Sequence, residues 1–507
     1  MPTNLKQMLE DTAQRYGGKT AIVSGERRVS YSELDESSNK VANALIKMGV
    51  NKGDRVIILL PDTPDSIINY FGVMKCGGVA VRLNPRSKVE EITPFINDCQ
   101  PRVLITESTI LETLIPSLPT FKSIEKIIDV SSKHNEGQFV SYQEIINTGS
   151  PQPTDVATEF EDVIDIAYTS GTTGIPKGIM LTNNTLVTGT TAVAKGFQQN
   201  DKDINILFGL PLYHMFALAA VVLISVYKGS TVVMVPGLSI DGLFDTIDKE
   251  KATVLVGVPA IYGLAIEKGE KEGVKHDLSS IRFFGSAGAP LPVESIKSFK
   301  KLYGADIVGF YGTSESPAIF TIQPLDGTGK IGSIGKIHPD LELKIIDEEN
   351  KELPQNQAGE IILKGCMMAG YYKKPEATGE VIKDGWYYTA DIGKIDEDGY
   401  VFILGRKKDM IIVSGHNVYP VDVEDVIHTH PKVAEAAVIG VPDKARGEVL
   451  KAFIGLKKGE SATETEIKKF CRERLVDYKV PKEVVILDSL PRTGTGKIRK
   501  QDLREKY

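Results

Sequence analysis

The densest concentration of potential chemistry is Tyr168-Thr-Ser-Gly-Thr-Thr-Gly-Ile-Pro-Lys-Gly178, which packs three glycines, three threonines, a serine and a lysine into eleven residues. Such a loop suits a polyphosphate: glycines let backbone approach an anion, hydroxyl and N–H groups donate to its oxygens, and Lys177 supplies a mobile charge. A plain glycine-rich turn explains the composition equally well. The spacing is not that of GxxxxGK[ST], and Thr493-Gly-Thr-Gly-Lys497 fails that pattern too, with Pro491 and Ile498 at two of its required positions. Read one at a time, Asp391 and Arg406 are surface ion-pair partners, Lys497 is a solvated charge, and His214, beside an apolar run, is a satisfied core residue. Tyr311-Gly-Thr-Ser-Glu315 is a weak signal alone.

Positioning these residues requires a sheet. Between about 160 and 315, the strand-like runs Val163–Tyr168, Ile204–Leu210, Thr231–Val235, Thr253–Val258, Ile281–Phe284 and Ile307–Phe310 alternate with helical stretches such as Leu243–Lys249 and Val293–Leu302. That alternation predicts an α/β sheet of mainly parallel strands, with ligands at the carboxyl ends. The first 150 residues repeat the style, with strands at Val56–Leu60, Val79–Leu83 and Val103–Ile105 and an amphipathic helix over Ser32–Met48, so two related α/β layers are expected. After about 330, short runs with Gly turns (Glu342–Ile346, Glu360–Leu363, Tyr400–Leu404) predict a small antiparallel, barrel-like unit. From Val421 onward a small α+β domain is expected.

Composition narrows the classes. The 507 residues, 41% hydrophobic and 25% charged, fit a globular protein of several units. Lys+Arg at 60 against Asp+Glu at 67 argues against nucleic acid as a partner. Cys76, Cys99, Cys366 and Cys471 form neither a CxxC pair nor a metal cluster, which suits a reducing cytoplasm. No signal peptide is expected, and the longest apolar run, Met215–Tyr227, falls short of the roughly 20 residues that span a bilayer, so it reads as a buried helix.

Across the whole chain the sequence resembles the adenylate-forming (AMP-binding) enzymes: acyl- and aryl-CoA synthetases, peptide-synthetase adenylation domains and beetle luciferases. The resemblance rests on YTSGTTGIPKG and, in family order, Leu210-Pro-Leu-Tyr-His214, Gly285-Ser-Ala-Gly-Ala-Pro290, Gly309-Phe-Tyr-Gly-Thr-Ser-Glu315, Gly385-Trp-Tyr-Tyr-Thr-Ala-Asp391, Gly405-Arg-Lys-Lys-Asp409, Ser414-Gly-His-Asn417 and Pro491-Arg-Thr-Gly-Thr-Gly-Lys497. It implies that Thr169, Ser170, Gly171, Thr172, Thr173, Gly174 and Lys177 form a phosphate loop. Tyr311 would face adenine, Thr313 would meet the α-phosphate, and Glu315 would hold Mg²⁺ with ATP. Asp391 would hold the ribose with Arg406 nearby, and Gly288, Ala289, Pro290, Gly309, Phe310, Gly312 and Ile403 would complete the nucleotide site. Lys497 would bridge the carboxylate and the α-phosphate, and His214 would gate the acyl carbonyl.

The same resemblance implies an N-terminal domain over 1–406, a hinge at 407–408 centred on Lys408, and a mobile C-terminal domain over 409–507. Gly415, with Lys444 and Arg446, would line a path for the pantetheine of coenzyme A. The acyl pocket would be framed by His214, Met215, Phe216, Ala287, Gly288 and Phe310, all but His214 apolar or glycine, which favours an apolar tail. Phe310 would shorten or bend it. The expectation is an AMP-forming acid–thiol ligase using ATP, Mg²⁺ and coenzyme A on a small carboxylic acid, a medium- to long-chain fatty acid before an aryl or alicyclic one. The other readings are an adenylating enzyme that loads a carrier protein, with no room here for a fused carrier, and a dead nucleotide-binding relative. The expected oligomer is a monomer or a homodimer.

Overall fold

The computed structural model describes residues 2–169, 177–492 and 497–507. Two large sheets dominate. The eight-stranded one has a parallel body of Val79–Arg82, Arg55–Leu59, Val103–Thr106, Lys126–Asp129 and Phe139–Ser141, joined through Val163–Thr169 to Lys177–Thr182. All four residues of Val79–Arg82 are buried, as a parallel strand covered on both faces demands. In the nine-stranded sheet, Thr231–Met234, Ile204–Leu207, Val254–Gly257, Phe283–Ser286 and Ile307–Tyr311 run parallel.

The layers interlock rather than follow one another. Thr20–Ser24, near the start of the chain, pairs in parallel with Thr231–Met234 of the second sheet, Ile22 opposite Val232. Helices pack against the sheets on local signals. Tyr31–Lys47 begins at a capping box in which Ser30 and Glu33 exchange side-chain bonds, and Pro64 opens Pro64–Lys75. Between these two helices Lys75 Nζ is fully buried, 2.5 Å from Asp35 and 2.8 Å from Asn39.

The apolar run from Met215 is the expected buried helix. It is α-helical at Met215–Ala217, wound as a π-helix over Leu218–Leu223, and α-helical again to Lys228. Gly229 stops it at φ +72°, where a Cβ would stand 2.3 Å from the Tyr16 ring. Among the described residues no helix is long and apolar enough to cross a membrane. All four cysteines are buried and free.

The expected antiparallel unit is a five-stranded sheet of Glu342–Ile346, Gly359–Lys364, Trp386–Ile395, Ile382–Lys383 and Val401–Arg406. After the short turn Lys407–Asp409, a further five-stranded sheet (Ile411–Val413, His416–Val418, Val433–Asp443, Gly447–Leu456, Glu483–Leu487) carries helices Pro420–His428, Glu464–Arg472 and Lys500–Lys506. Its apolar side chains form clusters of their own, separate from the main core, which ends at Val401.

Candidate active site

The ends of several strands converge on one cleft. Val163–Thr169 and Lys177–Thr182 are antiparallel partners with Thr169 opposite Lys177, so the glycine-rich loop is the connection between two strands of the first sheet. Ser170, Gly171, Thr172, Thr173 and Gly174 lie outside the described residues. Lys177 Nζ sits 5.1 Å from the centroid of the Tyr371 ring.

Tyr311 ends a parallel strand of the second sheet, and its hydroxyl donates to Asp391 Oδ2 at 2.6 Å. Asp391 faces Arg406 across the antiparallel ladder, and Arg406 Nε meets Asp391 Oδ1 at 2.6 Å. Asp391 is only 5% exposed, and burial raises its carboxyl above the usual range although Arg406 and the Tyr311 hydroxyl pull it down. Ile403, in the same strand as Arg406, packs on the main core. Gly312 follows Tyr311 where the carbonyl of Ala318 passes so close that a Cβ would stand 2.1 Å from it. The backbone can then turn at Thr313, whose hydroxyl is buried with no hydrogen-bond partner among the described residues. Glu315 Oε1 accepts from the Tyr371 hydroxyl at 3.2 Å.

Lys497 joins this group from the far end of the chain. With Gly209, Leu210, Pro211, His214, Phe216, Ala217, Val258 and Gly288 it lines a narrow space. A Cβ on Gly288, which has φ +85°, would meet Lys497 Cε at 3.6 Å, so the ammonium stem lies along the loop that carries Ala289 and Pro290. Burial and the nearby Arg406 hold the Lys497 ammonium below its ordinary value, while Asp391 and Glu315 pull it up. His214 Nδ1 accepts from the backbone N–H of Phe216 at 3.3 Å. Burial, then Lys497 and Arg82, push this imidazole down to about 4, so it is neutral at neutral pH.

Of the residues expected to frame the acyl pocket, His214, Phe216 and Gly288 line this space. Met215, Ala287 and Phe310 do not: they belong to the main core, and Phe310 stands behind Phe216, edge-to-face at 5.7 Å, with Phe197 at 5.2 Å on another side. Gly309 is tied into its sheet by donating to Gln323 Oε1 at 3.1 Å.

Gly415 is explained locally. Ser414 and Gly415, at φ +49° and +82°, connect Ile411–Val413 to His416–Val418 with Val413 opposite His416, a two-residue turn that demands positive φ at both places. A Cβ there would meet nothing within 4 Å. The Ser414 N–H donates to the Arg446 carbonyl at 2.8 Å, which draws the loop of Lys444 and Arg446 beside this turn. Lys408 lies in the Lys407–Asp409 turn between the two sheets it was expected to separate, with Lys407 bound to Glu360 at 2.9 Å.

Tyr371 escaped the sequence reading. It lies in the two-residue strand Gly370–Tyr371, which pairs with Lys177–Thr182 (Tyr371 opposite Ile179) and thereby reaches both Lys177 and Glu315. No periodicity can develop in two residues, and only the pairing identifies it.

The chain matches the family model for AMP-binding enzymes over residues 9–372 and that for the AMP-binding enzyme C-terminal domain over 422–497. It is 34% identical to a long-chain-fatty-acid–CoA ligase of Bacillus subtilis (strain 168), covering 99% of this chain and 94% of that one. Against the mitochondrial medium-chain acyl-CoA ligase of Danio rerio the identity is 32%, over 99% and 88%. The crystal structure of an anthranilate CoA ligase in complex with anthranoyl-AMP superposes with a TM-score of 0.92 at 30% identity, covering 99% of this chain and 96% of that one.

Proposed function

The chain belongs to the AMP-binding enzyme family, and from that premise we propose that it is an AMP-forming acyl-CoA synthetase acting on a medium- to long-chain fatty acid. Carboxylate and ATP give acyl-adenylate and pyrophosphate; coenzyme A then gives the thioester and AMP. The observation that carries this reading is the arrival of Lys497 between the apolar space at His214, Phe216 and Gly288 and the acidic pair Asp391 and Glu315. A cation there lies where an apolar acid and a nucleotide would meet.

Each assignment has a physical support. Tyr311, Gly288, Ala289 and Pro290 border the adenine, and Asp391, steadied by Arg406, takes the ribose hydroxyls, for which a carboxylate has paired acceptors. The Thr313 hydroxyl, without a partner among the described residues, has a donor to give to the α-phosphate. Lys177 and the loop from Thr169 hold the outer phosphates. Lys497 neutralises charge that grows as carboxylate oxygen displaces pyrophosphate, and no side chain forms a covalent intermediate. His214, uncharged, shapes the acyl entrance rather than moving a proton.

Mg²⁺ fits Glu315, a hard oxygen ligand; among the described residues no three His, Cys, Asp or Glu side chains gather into a metal site, so phosphate oxygens would supply the rest of its shell. The division into 1–406, a hinge at 407–408 and 409–507 follows the separate cores on either side of the Lys407–Asp409 turn. Gly415, Lys444 and Arg446 would then serve the pantetheine path after rotation, in the cytoplasm where acyl-CoA is used.

The acid is apolar because the space beside Lys497 is walled by Leu210, Phe216, Ala217 and Val258. The test is acid-dependent pyrophosphate exchange and CoA-dependent AMP release across C4 to C18 fatty, benzoic and cinnamic acids. A kcat/KM maximum between C8 and C16 is expected; a maximum on an aryl acid would replace the fatty-acid assignment, and exchange without thioester would point to a carrier protein as acceptor.

A further inference from the structure

The turn that carries His214 is gripped by side chains from elsewhere in the fold. One backbone bond closes it, the His214 N–H donating to the Pro211 carbonyl at 2.9 Å. Leu212, inside the turn, is held on both sides: its N–H donates to Asp62 Oδ1 at 2.8 Å and its carbonyl accepts from Arg82 Nη1 at 2.6 Å. Both polar groups of this residue are thus satisfied by charged partners, and charge-assisted hydrogen bonds are the strong ones.

The grip crosses from one large sheet to the other. His214 follows Ile204–Leu207 of the nine-stranded sheet, whereas Asp62 lies just beyond Arg55–Leu59 and Arg82 ends Val79–Arg82 of the eight-stranded one. Arg82 is itself aimed. Asp165, in Val163–Thr169, is 0% exposed and meets Arg82 Nε at 3.0 Å, and the guanidinium carbon stands 5.5 Å from the Tyr70 ring centroid. A planar fork fixed at Nε presents Nη1 in one direction. An ion pair that served only the core would need no third partner; this one goes on to a backbone carbonyl two residues before His214.

We propose that Asp62 and Arg82 are positioning residues for His214: by holding Leu212 from both sides, the eight-stranded sheet sets where the imidazole stands at the acyl entrance, an inference that rests on the acyl role proposed above for His214.

Asp62 is exposed, so Asp62→Ala releases one side of the grip without opening the core. In the full chain free of acid and nucleotide, the ring signal of His214 in a heteronuclear NMR spectrum, assigned with His214→Gln, should shift in Asp62→Ala. Arg82→Lys, which keeps the charge but not the fork, should shift it too, and Asp62→Asn, whose amide oxygen still accepts from Leu212, should leave it at the parent position. In pyrophosphate exchange Asp62→Ala should raise the KM of the acid about tenfold and leave that of ATP unchanged, since a small misplacement of a positioned group is costly. Asp62→Asn should match the parent. In a His214→Ala background Asp62→Ala should add nothing, because it acts through the ring. A ring signal unmoved by Asp62→Ala, equal changes in the KM of acid and ATP, failure of Asp62→Asn to match the parent, or additive effects in the double variant overturns the proposal. If His214→Ala alone leaves acid kinetics unchanged while the ring signal moves in Asp62→Ala and not in Asp62→Asn, the acyl reading of His214 falls and the grip on its turn stands.

Discussion

A buried hydroxyl with no partner costs about 1–3 kcal/mol, and Thr313, at the turn after Tyr311, carries a hydroxyl with none among the described residues. Thr313→Val keeps the shape and removes the unsatisfied group. The variant should therefore melt at the same temperature as the parent or slightly above it, while pyrophosphate exchange falls about 100- to 1000-fold, the effect of losing one stabilising donor on a reacting oxyanion. A loss of stability equal to the loss of activity would make Thr313 a structural residue. His214 offers a second test, in pH. Its imidazole titrates near 4 in the folded chain against 6.5 ordinarily, so the native state favours the neutral form. That contribution is complete above about 6.5, is lost as the pH falls towards 4, and is worth at most about 3 kcal/mol. Unfolding free energies measured from pH 7.5 to 4 should fall more steeply for the parent than for His214→Gln; parallel curves would show that this ring does not titrate as described. The motifs singled out Lys497, Asp391 and Arg406 by residue type at set places, and the fold brings these three near one another. Tyr371 was not legible in this way, since its role arises from one short pairing.

Among the elements, the turn at Ser414 and Gly415 separates two reasons for a glycine. Its positive φ is required by the hairpin itself, whereas the pantetheine path would require only an absent side chain. Asn accepts positive φ far better than other residues. Gly415→Asn should thus fold and form acyl-adenylate normally but lose thioester formation at least tenfold; full thioester activity would mean that only the turn needs the glycine. The aromatic stack behaves in the same divided way. Phe216 faces the space beside Lys497 while Phe310 supports it from behind. Phe216→Ala should shift the preferred acid by several carbons, each buried CH₂ contributing about 0.8 kcal/mol, and Phe310→Ala should chiefly lower stability, by about 3–5 kcal/mol. An unaltered chain-length profile in Phe216→Ala would place the acyl chain elsewhere. The alternating strands and helices were readable because parallel strands buried on both faces are apolar runs. The hairpin partner Lys177–Thr182 was hidden behind a glycine-rich loop, and the packing of Phe310 on Phe216 was hidden because the sequence does not record which face of a strand meets that ring.

The C-terminal part holds Lys497 beside His214, Phe216 and Gly288, the arrangement that the proposed adenylation step would use. In the proposed two-state mechanism the Gly415 turn, now in open space, would take its place for thioester formation, so the two half-reactions should respond to different substitutions. Lys497→Ala should lower pyrophosphate exchange by about 2–4 kcal/mol in activation free energy yet still convert supplied acyl-adenylate and coenzyme A to thioester. Lys408 lies in a short 3₁₀ turn whose φ range suits proline, so Lys408→Pro should keep this arrangement, and with it adenylation, while impeding the rotation. Equal loss of both half-reactions in both variants would mean that one fixed arrangement performs them. What local patterns could not convey is the interlocking of the two large sheets, because the partner of Thr20–Ser24 lies in another part of the sequence. That pairing also sets a clock on biosynthesis. Ile22 and Val232 are 210 residues apart (232 − 22), and at roughly 5–20 residues per second a ribosome needs about ten to forty seconds to deliver the second after the first. Through that interval the nascent strand has only the adjoining Arg27–Ser30 hairpin arm to cover one edge, and the other edge stays open to whatever binds unfinished chains.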